Sequence, residues 1–457
     1  MKPNKLFFAV LFLFAPILVI GQPLITQNIN ETAEKLIKTS LSSTVGFERL
    51  THLTDYYGPR LSGSKELEDG IDWIIEEMKK DGFDKVWGQP VMVPHWVRGK
   101  ESATLKAPIT KELPMASLGG SIGTPENGIT AEVVVVKSFD ELEKRQSEVR
   151  NKIVLFNVPF TSYGETVQYR VNGAIAAAKH GAVASVLASV ASYSMQTPHT
   201  GTMSYEEGVK KIPHAALTVE DANLIERFIK RGETVSITLK MEAKTLPDAQ
   251  SHNVIAEITG SEFPEEIIVM GGHIDAWDNG HGAMDDGGGC VAAWEALRLI
   301  KETGVRPKRT IRVVLWTNEE NGLRGANEYL RWVKEDEKSL DNHVLAMESD
   351  AGVFDPLGFG FSGSNDAYEI LSSIGKLLKS VDSGEVRKGG GGADIGPLMQ
   401  NGVPGMGLNV DGTKYFWFHH TAVDTIDKVN IDDFNECIAT MAVFAYAVAD
   451  LDVRLPR

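Results

Sequence analysis

Three short runs of apolar residues constrain the fold of this chain more than any other feature. They span residues 267–270, 311–316 and 344–347, and segments with helical spacing follow the first two, around residues 291–300 and 326–333. Strands that are apolar throughout are typical of parallel sheets, because helices cover both faces of such a sheet. The alternation of strand and helix therefore predicts an α/β fold with a mostly parallel central sheet sandwiched by helices.

Residues that suit a divalent metal follow each of these runs. They are His273, Asp275, Asp285 and Asp286 after the first, Glu319 and Glu320 after the second, Glu348 and Asp350 after the third, and His419, His420 and Asp424 far downstream. Because the carboxyl ends of neighbouring parallel strands meet at one edge of the sheet, we expect these side chains to converge. So many carboxylates would repel one another unless cations lay between them, and imidazole with carboxylate suits zinc. The pattern predicts a two-metal hydrolytic site.

Each of these residues, taken alone, has a simpler interpretation. A single His or Asp in such a loop is more often a surface or helix-capping group than a metal ligand, and this applies to Asp286, His281 and His419. Glu348 is as easily structural as functional. Only the joint pattern, with ligand types after three strands and a distant His, favours metal binding.

The first 21 residues have the pattern of a secretory signal peptide. Lys2 and Lys5 precede an apolar stretch at residues 6–20, and residues 21–23 follow as a cleavage zone. A retained membrane anchor is the alternative, but the stretch is short for a membrane span and contains Pro16. We expect export, as a secreted or periplasmic protein, with cleavage of the signal peptide and no membrane span in the mature chain.

The length and charge of the chain limit what it can be. At 457 residues it is too long for one ordinary domain, and 42% hydrophobic residues is the composition of a folded protein. Its net charge of −16 argues against nucleic acid as a partner. Potential metal ligands do not cluster between residues 103 and 246. We therefore expect an inserted domain there, between two parts of a catalytic domain at residues 22–102 and 247–457.

The inserted segment has its own pattern of strands and helices. Residues 129–136 and 153–157 are predicted strands, residues 173–180 an alanine-rich helix, and residues 183–187 another apolar run. This strand–helix–strand unit resembles the protease-associated domain that is inserted in many exported peptidases. The alternative is simply a second α/β lobe.

Cysteine chemistry contributes little to the predicted site. The two cysteines, Cys290 and Cys437, lie in apolar segments with helical spacing, so buried free thiols are the default interpretation. A disulfide between them is the alternative in an exported protein, and spacing alone does not decide it. A covalent nucleophile is not expected, because neither cysteine is accompanied by a plausible histidine base.

Five motifs resemble those of the co-catalytic zinc peptidase family of aminopeptidases and glutamate carboxypeptidases. They are HIDAWD, AMDDGGG, WTNEENG, MESDAG and YFWFHHTAVDT, which begin at residues 273, 283, 316, 347 and 415. The resemblance covers nearly the whole mature chain, including the inserted segment and the GGGGADIGPL stretch. As a joint set these motifs are specific, whereas any one of them alone is weak.

The resemblance implies a ligand set for two zinc ions per chain. The expected ligands are His273, Asp285, Glu320, Asp350 and His420. Asp285 would bridge the two ions, and His273 and Asp350 would serve different ions. His420 is favoured over His419 because the family's ligand directly precedes a small hydroxyl residue.

The same resemblance implies the catalytic groups. Asp275 would orient His273 and fix its tautomer. Glu319 would be the general base, taking a proton from the attacking water and later giving it to the leaving amine. The peptide bond between Asp285 and Asp286 would be cis.

The implied activity is hydrolysis of dipeptides or short peptides by an exported exopeptidase, and relatives suggest a homodimer. Two alternatives exist on the same broad fold: a catalytically inactive, receptor-like binding protein, and a single-zinc cyclase. The complete ligand set speaks against both. Whether the amino or the carboxyl end of the peptide is recognised depends on the geometry of the pocket.

Two further stretches are candidates for contacts with the substrate. The glycines at residues 389–392 supply flexible backbone that would let a peptide terminus approach closely, although a solvent-exposed loop is an equal alternative. The aromatic run Tyr415–Phe418 immediately precedes the two histidines. It would form a wall of the pocket, although such a run more commonly packs in the hydrophobic core.

Overall fold

The computed structural model describes residues 24–457. The predicted signal peptide at residues 1–21 lies outside the described residues and stays a prediction. Among the described helices, none is both long and apolar enough to cross a membrane.

The secondary structure alternates strands with helices along most of the described chain. The strands are β1 (Lys85–Val97), β2 (Glu101–Ala107), β3 (Lys111–Leu113), β4 (Met115–Ser117), β5 (Ile129–Val136), β6 (Ile153–Phe156), β7 (Ala184–Ala188), β8 (His214–Leu217), β9 (Ser236–Met241), β10 (Lys244–Ile258), β11 (Phe263–His273), β12 (Arg309–Trp316), β13 (His343–Glu348), β14 (Pro356–Ser362), β15 (Glu385–Lys388) and β16 (Gly405–Val410). The helices are α1 (Gln27–Leu41), α2 (Val45–Tyr57), α3 (Lys65–Asp81), α4 (Phe139–Lys144), α5 (Tyr163–Lys179), α6 (Val219–Lys230), α7 (Gly288–Glu302), α8 (Arg324–Glu335), α9 (Asn365–Gly375), α10 (Gly396–Gln400), α11 (Tyr415–Phe418) and α12 (Ile431–Asp450).

The strands form two eight-stranded sheets. We call the sheet with the order β1-β10-β12-β11-β13-β16-β14-β15 the first sheet. Its centre, β12-β11-β13-β16, is parallel throughout, whereas β10 pairs antiparallel with β1 and with β12. Strand β14 pairs antiparallel with β16 and parallel with β15. The three apolar runs lie in β11, β12 and β13, three adjacent strands of this parallel centre. The predicted α/β fold with helices around a central sheet is confirmed.

The apolar runs are buried on both faces because helices cover both sides of the first sheet. Successive side chains of a strand point to opposite faces. In β11, Ile268 and Met270 join one core with α7 and α12, whereas Ile267 and Val269 join another core with α8. This two-sided burial is the reason why the strand sequences are continuously apolar instead of alternating.

The second sheet is built entirely from residues 101–241 and has the order β3-β2-β9-β5-β6-β7-β8-β4. The predicted strand–helix–strand unit is present as β6, α5 and β7. Helix α5 begins ten residues before the predicted start, with Ser162 as its N-cap, because its first half buries Thr166 and Arg170 and lacks the alanine signal. The division of the chain into domains at residues 103 and 246 stays a prediction.

Both cysteines are free thiols. Cys290 lies in α7 and Cys437 lies in α12, and each is completely buried. The default interpretation of the sequence, buried thiols without a disulfide, agrees with this arrangement.

Candidate metal centre

The parallel centre of the first sheet brings the predicted ligands together at one edge. Strand β11 ends at His273 and lies between β12 and β13. Its residue His273 is in register with Trp316, three positions before the turn that carries Glu319 and Glu320. On the other side, Gly271 is in register with Glu348, two positions before Asp350. The five expected ligands therefore meet where these strands end.

The ligand atoms form two groups that share Asp285. In the first group, His273 Nε2 lies 3.1 Å from Asp285 Oδ1 and 3.3 Å from Asp350 Oδ1. In the second group, His420 Nε2 lies 3.4 Å from Asp285 Oδ2 and 3.1 Å from Glu320 Oε2. Tetrahedral zinc with bonds of about 2.0–2.2 Å places its ligand atoms roughly 3.3–3.6 Å apart. The four distances, 3.1–3.4 Å, lie at or slightly below that range, so small side-chain adjustments would accommodate an ion in each group.

The grouping corrects one expectation about which ligands belong together. The expectation that His273 and Asp350 serve different ions is wrong, because the two side chains are neighbours in the first group. Glu320 pairs with His420 instead. The reason is that β13 lies directly beside β11 in the sheet, and this neighbourhood is decided by strand order.

The two doubtful candidates have clear positions. His419 Nε2 lies 3.8 Å from Asp285 Oδ2, farther than His420, and the two imidazole rings are stacked with centroids 3.5 Å apart. Asp286 uses both carboxylate oxygens on backbone groups: the N–H of His273 donates at 3.0 Å and the N–H of Gly289 donates at 3.1 Å. Asp286 therefore holds the backbone around the site.

The chemistry of the donor set also fits a pair of cations. Asp285 Oδ2 and Glu320 Oε1 are buried without a hydrogen-bond partner in the described chain. Burial, followed by the charge of Asp285, raises the pKa of Glu320 well above its ordinary value. Burial also raises the pKa of Asp350. Carboxylates packed this closely are unfavourable by themselves, and divalent cations between them would relieve both the repulsion and the lost hydration.

Asp275 contacts the site through two different groups. Its main-chain carbonyl oxygen lies 2.9 Å from His273 Nδ1, whereas its carboxylate Oδ1 is 3.9 Å away from the same atom. The carboxylate instead accepts hydrogen bonds from the backbone N–H of Glu319 at 3.0 Å and of Glu320 at 3.3 Å. The side chain thus anchors the turn after β12, and the backbone of the same residue holds the His273 ring.

Glu319 lies beside the ligand groups and faces a cavity. Its Oε2 is 4.0 Å from His273 Nε2, and its side chain retains 21% exposure, more than His273 or Asp285. Burial raises the pKa of Glu319 to about 8; His273 opposes this shift and Asp350 adds to it. The position and the raised pKa suit a group that exchanges protons with a substrate or water.

The glycine-rich loop after β11 is fixed by Asp424, which the sequence offered only as a candidate metal ligand, and by Arg60, to which the sequence assigned no role. Asp424 accepts hydrogen bonds from the backbone N–H groups of Ala283, Met284 and Asp285 at 2.8–3.1 Å. Arg60 is completely buried and donates to the carbonyl oxygens of residues 58, 274, 281 and 282. The peptide bond between Asp285 and Asp286 is cis, as expected.

The cavity beside the site has a volume of about 290 Å³. Helix α5, helix α11 and the loops at the edge of the first sheet line it with Tyr163, Arg170, Asp285, Glu319, Glu320, Asp350, Tyr415, Phe416, His419 and His420. The aromatic run contributes Tyr415 and Phe416 to the wall. Sequence reasoning missed Tyr163 and Arg170, because they belong to α5 and carry no ligand pattern. A neighbouring cavity of about 150 Å³ is lined by Gly390, Gly391 and Gly392 together with Glu348 and Asp350.

Comparison with known proteins shows that the chain is similar to peptidases. Residues 253–445 match the model of peptidase family M28. The chain is 50% identical to human carboxypeptidase Q over 411 residues, which cover 90% of this chain and 86% of that protein. It is 49% identical to carboxypeptidase Q of Mus musculus, with 90% and 87% coverage.

Solved structures agree with the fold. The peptidase M28 precursor from Shewanella amazonensis superposes with a TM-score of 0.88 at 36% identity, covering 94% of this chain and 98% of that chain. A zinc aminopeptidase from Bacillus subtilis superposes with a TM-score of 0.66 at 20% identity, covering 90% and 98%. The second likeness concerns the fold alone. The resemblance of the sequence motifs to the zinc peptidase family of aminopeptidases and glutamate carboxypeptidases is confirmed, and carboxypeptidase Q is among the relatives.

Proposed function

The chain belongs to peptidase family M28, and on that premise we propose that it is an exported di-zinc exopeptidase that hydrolyses dipeptides or short peptides. It is a zinc-dependent metallopeptidase. The number of metal ions, the role of each residue, the export and the substrate class are our proposals. A homodimer stays a prediction.

One observation carries the two-metal proposal. Asp285 presents its two carboxylate oxygens to different imidazoles, Oδ1 to His273 and Oδ2 to His420. Each imidazole has one further carboxylate at 3.1–3.3 Å, from Asp350 or Glu320. A single carboxylate shared between two such groups is the arrangement expected of a bridging ligand. The complete ligand set with Glu319 also disfavours the inactive, receptor-like alternative.

Different residues would bind the zinc ions and transfer the proton during hydrolysis. His273, Asp285 and Asp350 would hold one zinc ion, and Asp285, Glu320 and His420 would hold the other. Zinc bound there would polarise the scissile carbonyl group and make a water molecule acidic enough to attack at neutral pH. Glu319 accepts the proton of the attacking water and delivers it to the leaving amine.

The substrate class follows from the cavity and from the relatives. A volume of about 290 Å³ beside Glu319 suits a short peptide better than a folded chain. The relatives at 49–50% identity are carboxypeptidases by name, so removal of a carboxyl-terminal residue is the first activity to test. Dipeptides with a blocked amino or a blocked carboxyl end distinguish the two exopeptidase types.

Glu319→Gln tests the proposal. The amide has the shape of the carboxylate but cannot accept the proton, so zinc content should stay at two ions per chain while kcat falls by about 10²–10⁴-fold. Glu335→Gln, at an exposed position of α8, is the matched control and should retain full activity. Metal analysis that finds no zinc in the unaltered protein, or a fully active Glu319→Gln variant, would refute the proposal.

A further inference from the structure

His420 is held by residues that are distant in sequence. Its φ is 60°, in the left-handed region that side chains other than glycine rarely adopt. The carbonyl oxygen of His420 accepts hydrogen bonds from the backbone N–H of Thr200 at 3.0 Å and from Asn279 Nδ2 at 3.1 Å. The backbone of this ligand therefore depends on outside support, and Thr200 provides part of it from the segment that builds the second sheet.

Thr200 also contacts the imidazole ring of His420. The Nδ1 atom lies 3.3 Å from the Thr200 carbonyl oxygen, while Nε2 faces Asp285 and Glu320. A ring that donates its Nδ1–H to a carbonyl keeps the lone pair of Nε2 free for a metal. Arg170 Nη1 also lies 3.4 Å from the same Nδ1 atom. Thr200 and Arg170 therefore both contact the ring, and Thr200 also holds the backbone of His420.

Arg170 holds Thr200 in place. Its Nε donates to the carbonyl oxygen of Thr202 at 3.2 Å, its Nη1 lies 3.5 Å from the carbonyl oxygen of Thr200, and its Nη2 donates to Tyr163 Oη at 2.9 Å. The side chain is only 6% exposed. A Cβ atom at Gly201 would collide with the guanidinium group, so the loop wraps closely around it.

The side-chain hydroxyl group of Thr200 also forms hydrogen bonds, one of them with the second sheet. Thr200 Oγ1 donates to the carbonyl oxygen of Ser117 at 2.8 Å and accepts a hydrogen bond from Arg98 Nη2 at 3.2 Å. Ser117 is the last residue of β4. The loop that carries Thr200 is therefore held on one side by the second sheet and on the other by Arg170. In this position its backbone contacts His420.

From these contacts we infer that Arg170 and Thr200 are positioning residues for His420, so that the site for one of the two zinc ions is complete only with the second sheet docked against the first. The inference rests on the proposed metal site. It assigns residues 101–241 a direct part in metal binding.

Arg170→Met tests this assignment, because methionine keeps the apolar volume but removes every hydrogen-bond donor. Zinc dissociation constants from chelator competition should rise about 10–100-fold for one ion and change by less than about threefold for the other. The absorption spectrum of the cobalt-substituted enzyme should change for the same site. Arg170→Lys should restore part of the affinity. Arg145→Met removes an arginine of the same segment that donates to the carbonyl oxygen of Val135, and it should change neither property.

Gly201→Ala is a second route to the same displacement, because its Cβ atom would collide with the guanidinium group and its φ of 135° strains any residue other than glycine. Both effects would move the loop that carries Thr200 while the charge of Arg170 is retained. Thermal unfolding of the metal-free variants identifies any that fail to fold. If both variants bind two zinc ions with unaltered affinity and spectrum and only KM rises, Arg170 contacts the substrate in the cavity and the inference is wrong. An unaltered protein that binds no zinc would instead refute the proposed function itself.

Discussion

Asp275→Asn separates two ways in which this residue can act on the site. The sequence predicted that its carboxylate orients His273. In the structure the main-chain carbonyl of Asp275 contacts the His273 ring at 2.9 Å, and the carboxylate accepts the N–H groups of Glu319 and Glu320. We therefore expect the substitution to disturb the turn that carries Glu319 and to leave His273 in place.

The magnitude follows from the number of acceptors. A carboxylate offers an oxygen to each of the two amides, whereas asparagine has a single acceptor oxygen and must turn its NH₂ group towards one of them. Losing a hydrogen bond to a charged group costs about 1.5–3 kcal/mol. If the whole loss appears in the transition state, kcat falls by roughly 10–150-fold. The zinc content at saturating metal should not change, because a main-chain contact holds His273.

The assay is a double-mutant cycle with Glu319→Gln, measured as kcat on a dipeptide together with zinc content. Once Glu319 can no longer accept a proton, misplacing it has little further effect, so the two losses should be strongly non-additive. Asp336→Asn, at an exposed position, is the control. An unchanged kcat, or additive losses accompanied by lost zinc, would show that the carboxylate acts through His273 and would refute the reasoning.

Two further predictions concern the paired histidines and the pH dependence of stability. His420→Ala should lower zinc affinity and activity more than His419→Ala. The reason is that His420 Nε2 faces two carboxylates at 3.1–3.4 Å, whereas His419 faces one at 3.8 Å. Equal effects in chelator competition would contradict the assignment of His420 as the ligand. Burial lowers the pKa of His214 to about 4 in the folded chain. Between pH 7 and 5 this histidine therefore takes up a proton in the unfolded chain but not in the folded chain, and the free energy of unfolding falls by ~2 kcal/mol. His214→Asn should remove that part of the acid sensitivity in urea unfolding, and parallel pH curves for both proteins would contradict it.

Much of the first sheet could be predicted because its strands are local apolar signals. Strands β11, β12 and β13 each contain a predicted run. Strand β11 extends four residues before its run and three after it, β12 begins two residues earlier than its run, and β13 is longer by one residue at each end. The ends were missed because they carry polar residues whose strand conformation comes from pairing with neighbours. Helix α5 was predicted only in its alanine-rich half for a related reason: the other half packs Arg170 and Thr166, whose burial depends on the rest of the segment.

In the candidate site, too, some features are local in the sequence and others depend on distant residues. The residue types that can bind zinc, and their place after apolar strands, are visible in the chain itself. The contacts that support them are not, because they join positions that are far apart. Thr200 is 220 residues from His420, and Asp424 is 139 residues from the amide of Asp285 that it holds. Such pairs leave no periodic signal in a single sequence.

The sequence alone determined which residues converge, since strands with both faces covered must lie inside a parallel sheet and their polar ends must then meet at one edge. The tertiary structure decided how they combine. The order β12-β11-β13 placed Asp350 beside His273 and left Glu320 for His420. The second sheet then supplied the backbone groups that orient His420. Ligand pairing and orientation depend on strand order and on docking between distant segments, and both are properties of the folded chain.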